Sequence, residues 1–158
     1  MDARATGSEA IAGSIEPASK KRGWSIASFD SEEPDEGRAA WAIDGNPRTF
    51  WHTAWSRSEP KCPHEIVINL GKEETIKGVA YLPRQNGVNG RVGSYEIYVG
   101  TPGHWDKAVA SGEFDKGSDE VKVLFNKTIA TQYVRFVALS ELNKGPWTSI
   151  AELDILRG

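Results

Sequence analysis

Three histidines, one cysteine and 22 acidic side chains are the groups in this chain that could do chemistry. Their spacing speaks against most of it. His52, His64 and His104 are scattered, with no HxH or HExxH pattern to hold a transition metal. Cys62 lacks a nucleophile context, no GxSxG elbow occurs, and a lone cysteine excludes an internal disulfide. Two carboxylates could in principle meet as a glycosidase pair, but solvated surface acids are the much simpler account of them. The glycines form no phosphate-cradling loop between a strand and a helix.

Two segments remain. In Ala42–Trp55 (AIDGNPRTFWHTAW), Asp44, Asn46 and Thr49 put three oxygen-bearing side chains into a tight Gly/Pro turn. Backbone carbonyls could complete such a cage around Ca²⁺, although the alternating acids and final Glu of an EF-hand are missing. On spacing alone a plain Asp-Gly turn is the simpler reading. The same segment carries His52 and Trp55 beside Phe50 and Trp51. In Tyr81–Val92 (YLPRQNGVNGRV), Pro83 ends a strand and Arg84 opens a polar, glycine-rich loop with Asn86 and Asn89, where function sits on a sandwich scaffold. Further on, Trp147 falls in a turn (KGPW), and Glu152 lies in the apolar run SIAEL, where a buried carboxylate needs a compensating charge.

The elements that must position these residues are strands. The chain has 158 residues, a net charge of −3 and 39% apolar residues, enough for one domain with a single core. There is no basic stripe for nucleic acid and no apolar run of membrane-spanning length. Period-2 alternation and turn residues predict strands at His64–Leu70, Ile76–Pro83, Ser94–Val99, Val121–Phe125, Gln132–Leu139 and Thr148–Leu156. Weaker candidates are Trp24–Phe29 and Ala108–Phe114, and Arg38–Ile43 is the one helix-like piece. About eight strands with long loops predict an all-β, antiparallel β-sandwich of the jelly-roll kind over residues 23–158. Residues 1–22, rich in Ala, Gly, Ser and Glu, read as a leader or linker.

Together AIDGNPRTFWHTAW, HEIVINLG, YLPRQ…NGRV, YEIYV, YVRFVAL and SIAELDIL resemble the coagulation factor 5/8 type C (discoidin-like) superfamily. Within it they look most like family 32 carbohydrate-binding modules. The resemblance implies a galactose-binding-domain-like jelly roll with a structural Ca²⁺. The Asp44 and Glu152 carboxylates, Thr49, and the main-chain carbonyls of Trp41, Asn46 and Ala151 would hold that ion. It implies a sugar site of His52, Arg84 and Asn89 with aromatic walls from Trp55 and Trp147. Glu33 is the first choice for a contact from the acidic loop Asp30–Glu36.

The implied partner is a glycan ending in a galactose-type sugar, galactose or N-acetylgalactosamine. It would be bound without catalysis by a monomeric module tethered to a larger, secreted or cell-surface glycoside hydrolase. Related modules recognise N-acetylglucosamine, fucose or uronic acids. The competing reading is a discoidin-type adhesion module for protein or phospholipid. Lipid binding calls for apolar spikes above basic residues, whereas Glu32, Glu33, Asp35 and Glu36 make this loop acidic. An enzymatic reading survives only because fold alone does not assign function.

Overall fold

The computed structural model describes residues 23–158; the leader or linker read over residues 1–22 lies outside them. Nine strands and one short 3-10 helix, Ala39–Ile43, make up the domain. The strands are β1 (Ser25–Phe29), β2 (Trp51–His52), β3 (His64–Leu82), β4 (Ser94–Thr101), β5 (His104–Trp105), β6 (Ala110–Glu113), β7 (Val121–Ala138), β8 (Ser149–Ile150) and β9 (Glu152–Arg157). All pairings are antiparallel. The predicted jelly-roll sandwich is the observed architecture.

Two long strands build both layers. The first half of β3 pairs with the second half of β7, from His64 opposite Ala138 to Asn69 opposite Tyr133. The second half of β3 pairs with the first half of β7, from Gly78 opposite Leu124 to Tyr81 opposite Val121. The register shifts between these stretches, after Asn69 and again after Ile76. The sequence reads each long strand as two, and in β3 Gly71-Lys72 looks like the turn between them. Gly71 does adopt φ 84°, but the chain bends there without leaving the ladder. On one layer β1 flanks β3, and β4 joins β7 to β6; on the other, β9 flanks β3.

The core lies between the layers. Ile66, Ile68, Leu70, Ile76, Val79, Tyr81, Ile97, Val134, Phe136, Leu153 and Ile155 are buried in it. Tyr81, Phe114, Tyr95 and Phe136 stack in succession with centroids 4.3–6.2 Å apart, the offset geometry that aromatic quadrupoles favour. The predicted strand Thr148–Leu156 is interrupted at Ala151. Before it, β8 pairs with β2; after it, β9 pairs with β3. That change of partner brings the end of the chain past both segments singled out by sequence.

Candidate carbohydrate-binding site

β2 and β8 form a two-stranded ribbon at one end of the sandwich, with Trp51 opposite Ile150 and His52 opposite Ser149. Trp51 is fully buried and donates its indole N–H to the Ser31 carbonyl at 2.9 Å. This anchors the acidic loop against the ribbon and fixes where His52 sits. Gly37 permits the close approach. Its amide bonds the Glu33 carbonyl (2.9 Å), its carbonyl accepts from His52 N–H (3.1 Å), and a Cβ there would lie 2.6 Å from His52 Cβ.

His52, Trp55, Arg84, Asn89 and Trp147 line one cavity of about 230 Å³, joined by Phe50 and Glu36. This is smaller than the roughly 300–1,000 Å³ typical of drug-sized ligand pockets, and suits a single sugar ring. The loops contributing these residues are far apart in sequence and meet here because β2, the end of β3 and β8 converge.

The electrostatics of each polar group follow from its partners. His52 Nδ1 lies 2.7 Å from the Thr53 carbonyl, which can only accept, so Nδ1 carries the proton and Nε2 is left as an acceptor. Burial, reinforced by the nearby Arg84 charge, holds the His52 pKa below 6.5, outweighing the Thr53 bond and the carboxylates of Glu141 and Glu33. The imidazole is therefore neutral at pH 7.

Arg84 is held on three sides. Its Nε donates to Asn86 Oδ1 at 2.9 Å, its guanidinium lies 4.4 Å from the centroid of the Phe50 ring, and its carbonyl accepts two bonds from Arg91 at 2.9 and 3.1 Å. Burial and the Arg91 charge lower its pKa, yet a guanidinium stays protonated. Its two terminal nitrogens remain to donate as a fork.

Asn89 sits beside Gly90, whose φ of +86° and contact with Ser149 leave no room for a side chain. The Asn89 carbonyl accepts from the Ser149 hydroxyl at 2.7 Å, which fixes its backbone, and Asn89 lines the cavity. Gly90 is fixed in turn by the Glu141 carboxylate at 2.6 Å. The Trp147 ring stands 6.0 Å from His52, centroid to centroid and tilted by 50°, and its N–H donates to Glu59 at 2.9 Å. Trp55 is 43% exposed, with its indole free to face a ligand.

Glu33 does not line the cavity. It is buried, accepting from the amides of Trp55 (2.8 Å) and Ser56 (3.1 Å) and from the Ser56 hydroxyl. Those bonds, the hydroxyl's above all, hold its pKa below the usual carboxylate value. Glu33 thus shapes the backbone that presents Trp55, and Glu36 takes the lining position. The sequence points to Glu33 in this loop, whereas the side chain that lines the cavity is that of Glu36. The loop folds back on itself, with Glu33 bridged to Gly37, and has no periodicity from which side-chain direction could be read. Phe50 was noticed only as an aromatic neighbour; nothing in its spacing marks it as the platform under Arg84.

Of the second predicted set, Asp44, Asn46, Thr49 and Glu152 come together. The Asp44 carboxylate accepts from the Asn46 amide (2.9 Å) and the Thr49 hydroxyl (2.5 Å), while Glu152 Oε2 accepts from the Gly45 amide at 3.0 Å across 107 residues. The Asn46 carbonyl receives both the amide and the hydroxyl of Thr49. Burial and the adjacent Asp44 carboxylate push the Glu152 pKa up to about 9. Trp41 ends the turn that begins at Arg38, and the Ala151 amide bonds the Leu82 carbonyl. Among the described residues no three His, Cys, Asp or Glu side chains cluster. Two carboxylates with hydroxyl and carbonyl oxygens are what this corner offers.

Comparison with known proteins places the arrangement. The F5/8 type C domain model matches residues 25–153. A sialidase of Micromonospora viridifaciens is 46% identical over 135 residues, covering 83% of this chain and 21% of that enzyme. The chain thus spans about a fifth of the length of the curated relatives it matches. Among solved structures, the family 32 module from C. perfringens NanJ in complex with galactose superposes with TM-score 0.77 at 33% identity, covering 89% of this chain and 98% of that one. CpGH89CBM32-5 from Clostridium perfringens, in complex with GalNAc-β-1,3-galactose, gives TM-score 0.76 at 31% identity, covering 84% and 94%. The chain belongs to the F5/8 type C domain family, among its family 32 carbohydrate-binding modules.

Proposed function

We propose that this domain binds the terminal galactose-type residue of a glycan, galactose or N-acetylgalactosamine, and does so without catalysis. The observation that carries the reading is the convergence on one cavity of an acceptor imidazole, a two-pronged guanidinium, an amide and two indoles. A fork of parallel N–H donors matches vicinal sugar oxygens such as O3 and O4. His52 Nε2 accepts from an axial O4 hydroxyl, Asn89 adds a bond near O3, and Trp147 and Trp55 offer rigid apolar surface to the ring's C–H face. The galactose and GalNAc complexes of similar modules support the same ligand class.

A single-sugar site of this size binds weakly, on the order of −4 to −6 kcal/mol, or millimolar to tens of micromolar. Retention then depends on tethering or on multivalent glycan surfaces. We infer a module of a larger, secreted or cell-surface glycoside hydrolase that the monomeric domain steers to its substrate. The relatives' much greater length and the sialidase among them support this.

Asp44, Thr49 and Glu152, with the carbonyls of Trp41, Asn46 and Ala151, fit a hard cation such as Ca²⁺. The donors are all oxygen, and the two facing carboxylates have no Lys or Arg partner among the described residues. The ion would neutralise that pair and pin the first long loop to β9, a structural task.

A glycan array on the isolated chain tests the reading. Selective retention of glycans ending in β- or α-linked galactose or GalNAc supports it. Retention of glucose- or mannose-terminated glycans instead, or turnover of aryl-galactosides, overturns it.

A further inference from the structure

One buried ionisable group takes no part in the site as described. His64, at the start of β3, is 1% exposed, and both ring nitrogens are engaged. Nδ1 lies 2.6 Å from Asp30 Oδ2 and Nε2 lies 2.6 Å from the Pro146 carbonyl. A carboxylate and a carbonyl can only accept, so both nitrogens carry protons and the ring is an imidazolium. Burial opposes that charge, but Asp30, with help from Cys62 and Pro146, overrides it and raises the pKa to about 10.

The two acceptors lie on different loops, each of which also carries a residue that lines the sugar cavity. Pro146 precedes Trp147, and on the far side of that indole Thr148 is tied to Thr53 through two bonds of 2.9 and 3.1 Å. Asp30 opens the acidic loop. Its Oδ1 accepts from the Glu65 amide at 2.8 Å, and the loop beyond it carries Glu33, which holds the Trp55 backbone, and Glu36, which lines the cavity. One side chain therefore spans from the acidic loop, whose Glu33 holds the Trp55 backbone, to the loop that carries Trp147.

We infer that His64 is a positioning residue for sugar recognition. From behind the site, its paired bonds to Asp30 and Pro146 set the distance between the two aromatic walls. This rests on the sugar-binding reading above and adds a residue that touches no ligand. A charge-assisted bond is short and directional, so it fixes the Pro146 carbonyl, and with it the Trp147 ring, more tightly than apolar packing would. Walls set too far apart contact one face of a pyranose at the expense of the other.

The test compares the full chain with His64→Gln and Arg84→Ala, using galactose titration by calorimetry and the Trp147 indole N–H signal by ¹⁵N NMR in sugar-free protein. For His64→Gln, galactose affinity falls about tenfold, the scale of one lost charge-assisted bond. The Trp147 indole signal shifts before any sugar is added. Arg84→Ala loses sugar but leaves that signal in place. Wild-type affinity in His64→Gln, or an unmoved indole signal, overturns the inference. Should the wild type itself not bind galactose, the ligand reading fails while the indole comparison still decides whether His64 positions Trp147. If His64→Gln does not fold, Asp30→Asn carries the same two readouts: an unchanged signal and affinity refute the role, and a shift with weaker binding supports it.

Discussion

Replacing Arg84 with alanine separates recognition from folding. In the sugar-free protein the guanidinium makes one hydrogen bond to Asn86 and one cation–π contact with Phe50. Those are worth about 0.5–1.5 and about 0.5–1 kcal/mol. Removing a partly buried charge that lies near Arg91 recovers part of this, so the net loss of stability is about 1 kcal/mol. For a domain of this size that lowers Tm by roughly 2–5 °C. Binding loses much more, because the two terminal nitrogens are the charged donors facing the cavity. Hydrogen bonds to charged groups contribute about 1.5–3 kcal/mol each, and a total of about 4–6 kcal/mol does not survive the loss of two. Calorimetric titration of Arg84→Ala with galactose should therefore give no measurable heat up to tens of millimolar sugar, with the melting curve nearly that of wild type. Retained affinity refutes the reasoning, and so does a fall in Tm above about 10 °C, which would make Arg84 a structural residue.

Three further outcomes follow from the same geometry. Chelation with EDTA should lower the melting temperature, because it would remove the ion that ties the Asp44 turn to β9 and leave Glu152 to take up a proton instead; superimposable curves with and without chelator would remove the calcium assignment. Galactose affinity should hold as pH falls from 8 through about 6.5 and weaken only on further acidification, through the lowered pKa of His52, since the imidazole must be neutral for Nε2 to accept. The same depression makes its contribution to folding stability complete above pH 6.5 and lost on acidification through its lowered pKa, whereas His64 stays charged throughout this window. Equal affinity at pH 5 and pH 7.5 would show that His52 only donates. Gly37→Ala should cost both stability and binding, because the added methyl meets the His52 backbone and Cβ at 2.6–2.9 Å; a variant with wild-type Tm and affinity would mean the ribbon moves freely there.

Much of this was legible in the sequence because the physics is local. Ile66, Ile68 and Leu70 alternate with Glu65 and Asn69, and that alone marks a half-buried strand. Pro83 stops β3 and leaves Arg84 at a loop, where the structure has it. What escaped was decided by contacts between distant residues. The turn signal at Gly71 is real as backbone geometry, but the β3–β7 ladder carries the chain through it. Trp51–His52 is too short to show a period, and becomes a strand only because Ser149–Ile150 lies beside it. Glu33 and Glu36 are indistinguishable as letters; the Trp55 and Ser56 amides decide which one turns inward. His64 opens a strand in the sequence, and its role depends on Asp30 and Pro146, 34 and 82 residues away, on its two nitrogens.

The central claim is that these loops form one site shaped for a pyranose with an axial C4 hydroxyl. The direct measurement is a ¹⁵N NMR titration of the wild-type chain with galactose and, separately, with glucose, which differs only at C4. Saturable shifts are expected with galactose, concentrated on His52, Trp55, Arg84, Asn89 and Trp147, and none with glucose at the same concentrations. Equal responses to both sugars, or galactose shifts centred elsewhere on the sandwich, would contradict it.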